Sequence, residues 1–295
     1  MYLSFGAMLE SLINPKRAEK GPWKMFFIGI LYASLSLLLV VLFFGQDIVL
    51  SKFSGLLVVT FCVMFSLPFM YYIIKKEEKD DEDIEGFRGV LNTHKEAIYA
   101  LMWLFLGFVV AFSFWYIILQ DPNLLNAQIE TFCSINQPGN IENCVSQYTM
   151  GNGEIPELGR GSIGGTGRFF SIVENNIYVM IFTLIFSLIF GAGAIFILAW
   201  NATVIASAIG IFTNYKISEI PLGLARYMIH GIPEIAAYFI AALAGGMLGV
   251  GFARNNIKSK KFLRVLENVI VLLFLSIIVL ILAGLIEVYF TPLFF

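Results

Sequence analysis

The residues best placed to do chemistry in this chain are His230 and Glu234, an imidazole and a carboxylate inside the apolar run Met228–Phe252. Four positions apart, they share one helix face. An ionisable group inside a membrane span is costly and marks a candidate site by default. This pair could hydrogen-bond internally, exchange a proton, or hold part of a ligand. Glu287 closes the last apolar run, Val265–Phe290. Spans joined by a short loop run antiparallel, so Glu287 shares a membrane face with the pair, and Glu174 is expected there too. Asn201 sits in another uncharged stretch, either as a further member or as an interhelical hydrogen-bonding group. His230, Glu234, Glu287, Asn201 and Glu174 together make the candidate intramembrane polar site. The competing reading is that each charge only reaches the interface or ends a packed helix.

The familiar catalytic constellations are absent from the sequence. There are 2 histidines, no His-Glu-x-x-His zinc motif, and no Gly-x-Ser-x-Gly nucleophile turn within a span. The second histidine, His94, falls in a charged loop. No catalytic residue, metal or cofactor is therefore expected. The net charge of −2 gives no case for nucleic acid. The glycine-rich stretch Gly151–Gly167 lacks the Lys-Ser/Thr of a phosphate loop and reads as a linker.

The elements that must position these groups are membrane helices. The chain has 295 residues, 58% hydrophobic and 14% charged, against roughly 45–50% and about 25% in soluble domains. Met25–Phe44, Phe53–Ile74 and Ala97–Leu119 are long enough to cross a bilayer, as are the two later runs. Ile177–Phe212 has no charge over 36 residues and would be roughly 54 Å long as one helix. It either overshoots the membrane or folds back at Gly191 and Gly193, the expected hinge.

The positive-inside rule separates these options. With a cytoplasmic N-terminus, one crossing gives six spans and 11 Lys/Arg inside against 8 outside, whereas a hairpin gives seven spans and 14 against 5. The hairpin is favoured. The expected fold is an all-α polytopic membrane protein with about seven transmembrane segments, a Gly-broken helical hairpin and one large extracytoplasmic loop. Its parts are a cytoplasmic interfacial segment 1–24, an N-terminal hairpin 25–74, an acidic cytoplasmic loop 75–96, a third span 97–119, the external loop 120–176 and a core membrane domain 177–295. Tyr2, Phe5, Leu9 and Leu12 give residues 1–15 an interfacial face that Pro15 ends. The start lacks the long apolar core of a signal peptide. The C-terminus is expected outside.

Cys133 and Cys144 lie together in the external loop, where an oxidising compartment favours a disulfide over two free thiols. Cys62, inside a span, reads as a packing residue. Ala237, Ala241, Gly245 and Gly249 recur every fourth residue, a spacing that lets helix backbones approach. The face reads as an internal packing seam rather than a dimer interface, and self-association stays open.

Several of these residues carry a family resemblance. Asn201, the run His230-Gly231-Ile232-Pro233-Glu234, the pair Gly245-Gly246, and Ile286-Glu287-Val288-Tyr289-Phe290-Thr291-Pro292 resemble the stage II sporulation protein M family over about residues 165–295. The start, with Asn14-Pro15 and Pro22-Trp23-Lys24, is similar to its longer archaeal members. The resemblance implies a multi-pass membrane protein that anchors other envelope proteins. The partners expected are the lipid bilayer and other membrane or envelope proteins. The function expected is a non-catalytic scaffold or assembly subunit of a cell-envelope or membrane-remodelling complex. The alternative is a transporter or channel-type permease subunit with a polar site between its helices, for which the glycine-broken region is the argument.

Overall fold

A computed structural model describes residues 21–81, 87–121, 123–136, 139–149, 165–190, 195–254 and 259–294. The interfacial segment 1–15, the glycine-rich residues 151–164 and the hinge Gly191 and Gly193 lie outside the described residues. Among the described residues 91% are helical and none forms a strand. Apolar sequence in lipid leaves the backbone no other way to satisfy its N–H and C=O groups than a helix or a closed barrel.

Seven helices are long and apolar enough to span a membrane. They are α1 (Lys24–Phe44), α2 (Ser54–Asp81), α3 (Phe87–Leu119), α6 (Gly165–Phe190), α7 (Ile195–Phe212), α8 (Ile220–Arg254) and α9 (Lys260–Leu285). Two shorter helices, α4 (Asn126–Asn136) and α5 (Ile141–Thr149), lie between α3 and α6.

Contacts between helices give their directions. Phe26 meets Trp103, and Trp115 Nε1 donates to Ser34 Oγ at 2.9 Å, so α1 and α3 run parallel. Gly245 abuts the Leu184 carbonyl and Gly249 the Leu188 carbonyl, so α6 and α8 are parallel too. Gly223, early in α8, faces Ile209 and Thr213 at the end of α7. Helix α7 therefore runs opposite to both neighbours, and the chain reverses between Phe190 and Ile195. Helix α9 returns antiparallel to α8, with Ser276 Oγ donating to the Ala237 carbonyl at 2.8 Å and Gly251 facing Val265. Seven alternating helices place the start of α1 on one face of the bundle. The opposite face, here the disulfide face, carries α4, α5 and the end of α9.

Glycine sets the closest crossings. A Cβ on Gly29 would strike the Leu104 carbonyl, and one on Gly107 the Phe26 carbonyl, so α1 and α3 touch backbone to backbone. The small-residue stripe of α8 does the same against α6, where Ser187 Oγ also donates to the Ala242 carbonyl. Ala237, Ala241 and Gly245 are buried between α6 and α9, so this stripe is spent within the chain.

The segment between α3 and α6 holds folded structure. Cys133 and Cys144 form a disulfide, with Cα atoms 5.8 Å apart, that clamps α4 to α5. Phe132 packs edge-on against Tyr148. Fully buried Gln128 reaches from α4 to the start of α2, donating from Nε2 to the Gly55 carbonyl at 3.2 Å. Gly55 has no side chain to obstruct it. In the loop-entropy account, a bridge across so short a segment contributes about 3 kcal/mol. The double variant Cys133→Ser/Cys144→Ser should open this helix pair to limited proteolysis at least tenfold faster, while the membrane helices stay protected.

Three boundaries differ from those read in the sequence. The acidic segment 75–96 is helical at both edges, because α2 runs to Asp81 and α3 starts at Phe87. His94 is consequently not a loop residue. It is fully buried, on the face of α3 that continues through Ala97, Leu101 and Leu104. Helix α6 starts at Gly165, within the segment read as loop 120–176, so Glu174 sits inside α6, on its exposed side.

Candidate polar site at the disulfide face

Helix α8 presents His230, Glu234 and Tyr238 at successive four-residue steps, down one face from its outer end. Pro233 lies inside the helix and removes one backbone donor beside Glu234. Opposite, α9 loosens at the same level. Ile286–Phe290 form a single π-helical turn and Thr291–Leu293 a 3-10 turn. Such π turns re-aim side chains and often occur at functional sites.

The outer half of α8 and the loosened end of α9 meet. Tyr238 Oη, fully buried, donates to Glu234 Oε1 at 2.8 Å. Thr291 Oγ1 donates to the Ile286 carbonyl at 3.2 Å and lies 3.4 Å from His230 Nδ1. Glu287 projects from the π turn close enough to repel Glu234 electrostatically. Arg168, in the first turn of α6, lies between Gly165 and Phe169, both of which meet the end of α9, and Arg226 stands one turn before His230 on α8. Gly165 packs against Tyr289, and Gly284 against Val173 and Phe169, which docks the start of α6 onto this corner. The cluster is thus built from three helices and holds two carboxylates, an imidazole, two hydroxyls and a guanidinium.

Of the five residues proposed for the site, His230, Glu234 and Glu287 fall in this cluster. Asn201 is placed otherwise: its Nδ2 donates to the Ile197 carbonyl of its own helix at 2.7 Å. Glu174 is exposed on α6, accepting from Tyr178 Oη at 3.3 Å. Tyr238 and Arg168 were not marked by sequence reasoning, and Thr291 was marked only as part of the family-like run of residues 286–292. Tyr238 extends the four-residue series of His230 and Glu234, a signal that was present. Arg168 and Thr291 reach the corner only through tertiary packing. Among the described residues no group of three or more His, Cys, Asp or Glu could hold a metal ion.

A seven-helix membrane bundle with a polar corner on one face and a disulfide-clamped helix pair beside it defines a polytopic integral membrane protein. The stage II sporulation protein M family model matches residues 97–292, and the chain belongs to that family. The match takes in most of α3, the disulfide pair and the polar corner. No curated protein and no solved structure matches the chain.

Proposed function

We propose that this protein is a non-catalytic membrane scaffold, an assembly subunit of a cell-envelope or membrane-remodelling complex. It enters the membrane from the cytoplasm and carries its disulfide face outside. The observation that carries the reading is the folded platform of α4 and α5. Disulfide, ring contact and the Gln128–Gly55 bond fix it to the ends of the spans, and it exposes Glu130, Ser134, Asn140, Glu142 and Asn143. A rigid polar platform binds without an ordering cost on association. An oxidised cysteine pair fits an extracytoplasmic position, and so does the concentration of Lys and Arg on the other face. The middle of α8, from Ala237 to Met247, is buried and apolar apart from Tyr238, as a packed structural helix would be and a permeation path would not.

A transporter is the second reading. Its support is the pairing of Pro233 with the π turn, a proline-bearing helix meeting a loosened helix end beside acidic groups, akin to the discontinuous helices that build intramembrane ligand sites. Deletion of Asn126–Thr149 separates the two. For a scaffold, a stable membrane partner that co-purifies with the full chain is lost from the deletion variant, while Asn201→Leu retains it. Retention of that partner by the deletion variant would remove the platform from the recruiting role. A permeability of reconstituted vesicles that Glu234→Leu abolishes would favour transport.

A further inference from the structure

The turn joining α1 to α2 is unusual for a connection outside the membrane. It exposes Ile48, Val49, Leu50 and Phe53, with Ile48 at 83%, directly after Leu42 and Phe43 exposed at the end of α1. The turn is not a slack tether. Asp47 Oδ1 accepts from the Val49 and Leu50 N–H groups at 2.9 and 2.8 Å, and these bonds hold its carboxyl below the usual carboxylate range. Leu50–Phe53 continue as a 3-10 turn into α2. The apolar side chains are therefore presented in a fixed array.

The array stands past its neighbours. Trp115 of α3 is level with Ser34 of the parallel helix α1. From that level α3 runs four residues to Leu119, and α1 runs ten to Phe44. At about 1.5 Å per residue, the end of α1 rises roughly 9 Å above that of α3. A height of that order is comparable to the headgroup layer, which adds roughly 5–7 Å to each side of the hydrocarbon core. On the same face the last turn repeats the pattern, with Leu293 75% and Phe294 69% exposed beside Tyr289 and Phe290. Exposed apolar side chains on two chain-distant turns continue the lipid-facing surfaces of the helices that lead into them.

We infer that the α1–α2 turn and the C-terminal turn are lipid-binding anchors, seated in the headgroup layer on the disulfide face with their apolar side chains directed into the acyl boundary. The occupant is the bilayer itself. Lys52 is exposed within the first turn and supplies a cation at phosphate depth, as interfacial segments commonly do. The anchors would fix the height of the disulfide platform above the membrane, and they stand whether the chain is a scaffold or a transporter.

The test uses the full chain with Cys62→Ala, carrying an environment-sensitive NBD probe at Ile48→Cys, Leu293→Cys or, as a water reference, Glu142→Cys. Each protein is reconstituted in phosphatidylcholine vesicles with or without acyl chains brominated near the headgroup. Positions 48 and 293 are expected to emit at shorter wavelength than position 142. Brominated lipid should quench them at least twofold while aqueous iodide barely affects them. Water-like emission with iodide quenching at either position overturns the proposal. So does blue-shifted emission that brominated lipid leaves unquenched, since protein, including a second copy, would then be the cover.

Discussion

Gly29→Ala should destabilise the bundle although alanine is the better helix former. Inside a helix the exchange ordinarily favours the folded state by roughly 1 kcal/mol. At Gly29 the new methyl would strike the Leu104 carbonyl and press on the Cα of Gly107. Both obstacles are backbone, so neither can swing aside. Overpacking of a closed core costs about 1–3 kcal/mol, and a clash with a rigid neighbour belongs at the upper end. The expected net loss is about 2 kcal/mol, read as a fall of several degrees in the unfolding midpoint in detergent.

Gly231→Ala, in α8, supplies the opposite sign. There a Cβ meets only the terminal methyl of Met228, which can rotate, so that variant should be neutral or slightly more stable. Gly107→Ala should resemble Gly29→Ala, and the double variant should cost less than the two added together. Once one methyl has separated α1 from α3, the second enters space already opened. Additive losses would mean that the two glycines do not share a contact.

The contrast between Gly29 and Gly231 also explains what the sequence could and could not disclose. The spans were legible because lipid permits only long uncharged runs, and Met25–Phe44 or Val265–Phe290 can be little else. The reversal between α6 and α7 was legible from the charge on the far side of it: the five basic residues from Arg254 to Arg264, around the junction of α8 and α9, demand a side. The cysteine pair stood out because no other cysteine lies in the external loop. Partner choice was hidden. A span that is apolar all round carries no stripe to say which face meets which neighbour, so nothing marked Gly29 for Gly107 or Tyr116 for Tyr215, whose hydroxyls meet 3.1 Å apart across α3 and the α7–α8 turn.

The polar corner was half visible for the same reason. His230 and Glu234 follow from helical spacing alone, and Glu287 from the antiparallel return of α9. Arg168 arrives only because α6 begins at Gly165, a start concealed by glycines that read as a linker. Asn201 looked like a site residue because an amide in lipid needs a partner. It finds one in the carbonyl four residues back, which any helix offers and no pattern excludes.

Cysteines placed at Lys216 and Lys260 should label from opposite sides of the membrane, Lys216→Cys together with Glu142→Cys and Lys260→Cys together with Lys95→Cys. All four positions are exposed, Cys62→Ala removes the free buried thiol, and the bridged pair does not react with maleimide. The pattern follows from the helix directions. Helices α6 and α8 are parallel with α7 between them, so the α7–α8 turn that bears Lys216 must lie with the disulfide pair. Helix α9 starts on the other face, where α3 starts. A single long helix in place of α6 and α7 would move Lys216 to the face of Lys95 and carry Lys260 to the face of Glu142, exchanging both signals at once. The length of α7 makes the experiment worth doing: its 18 residues reach roughly 27 Å at about 1.5 Å each, slightly less than the roughly 30 Å core of an average bilayer. A crossing so short is accommodated by thinning the bilayer locally. In membranes of longer acyl chains, Lys216→Cys should therefore label more slowly while remaining on its own side. A change of side with lipid thickness would show that α6 and α7 do not both cross, and the polar corner would then have to be placed on the opposite leaflet.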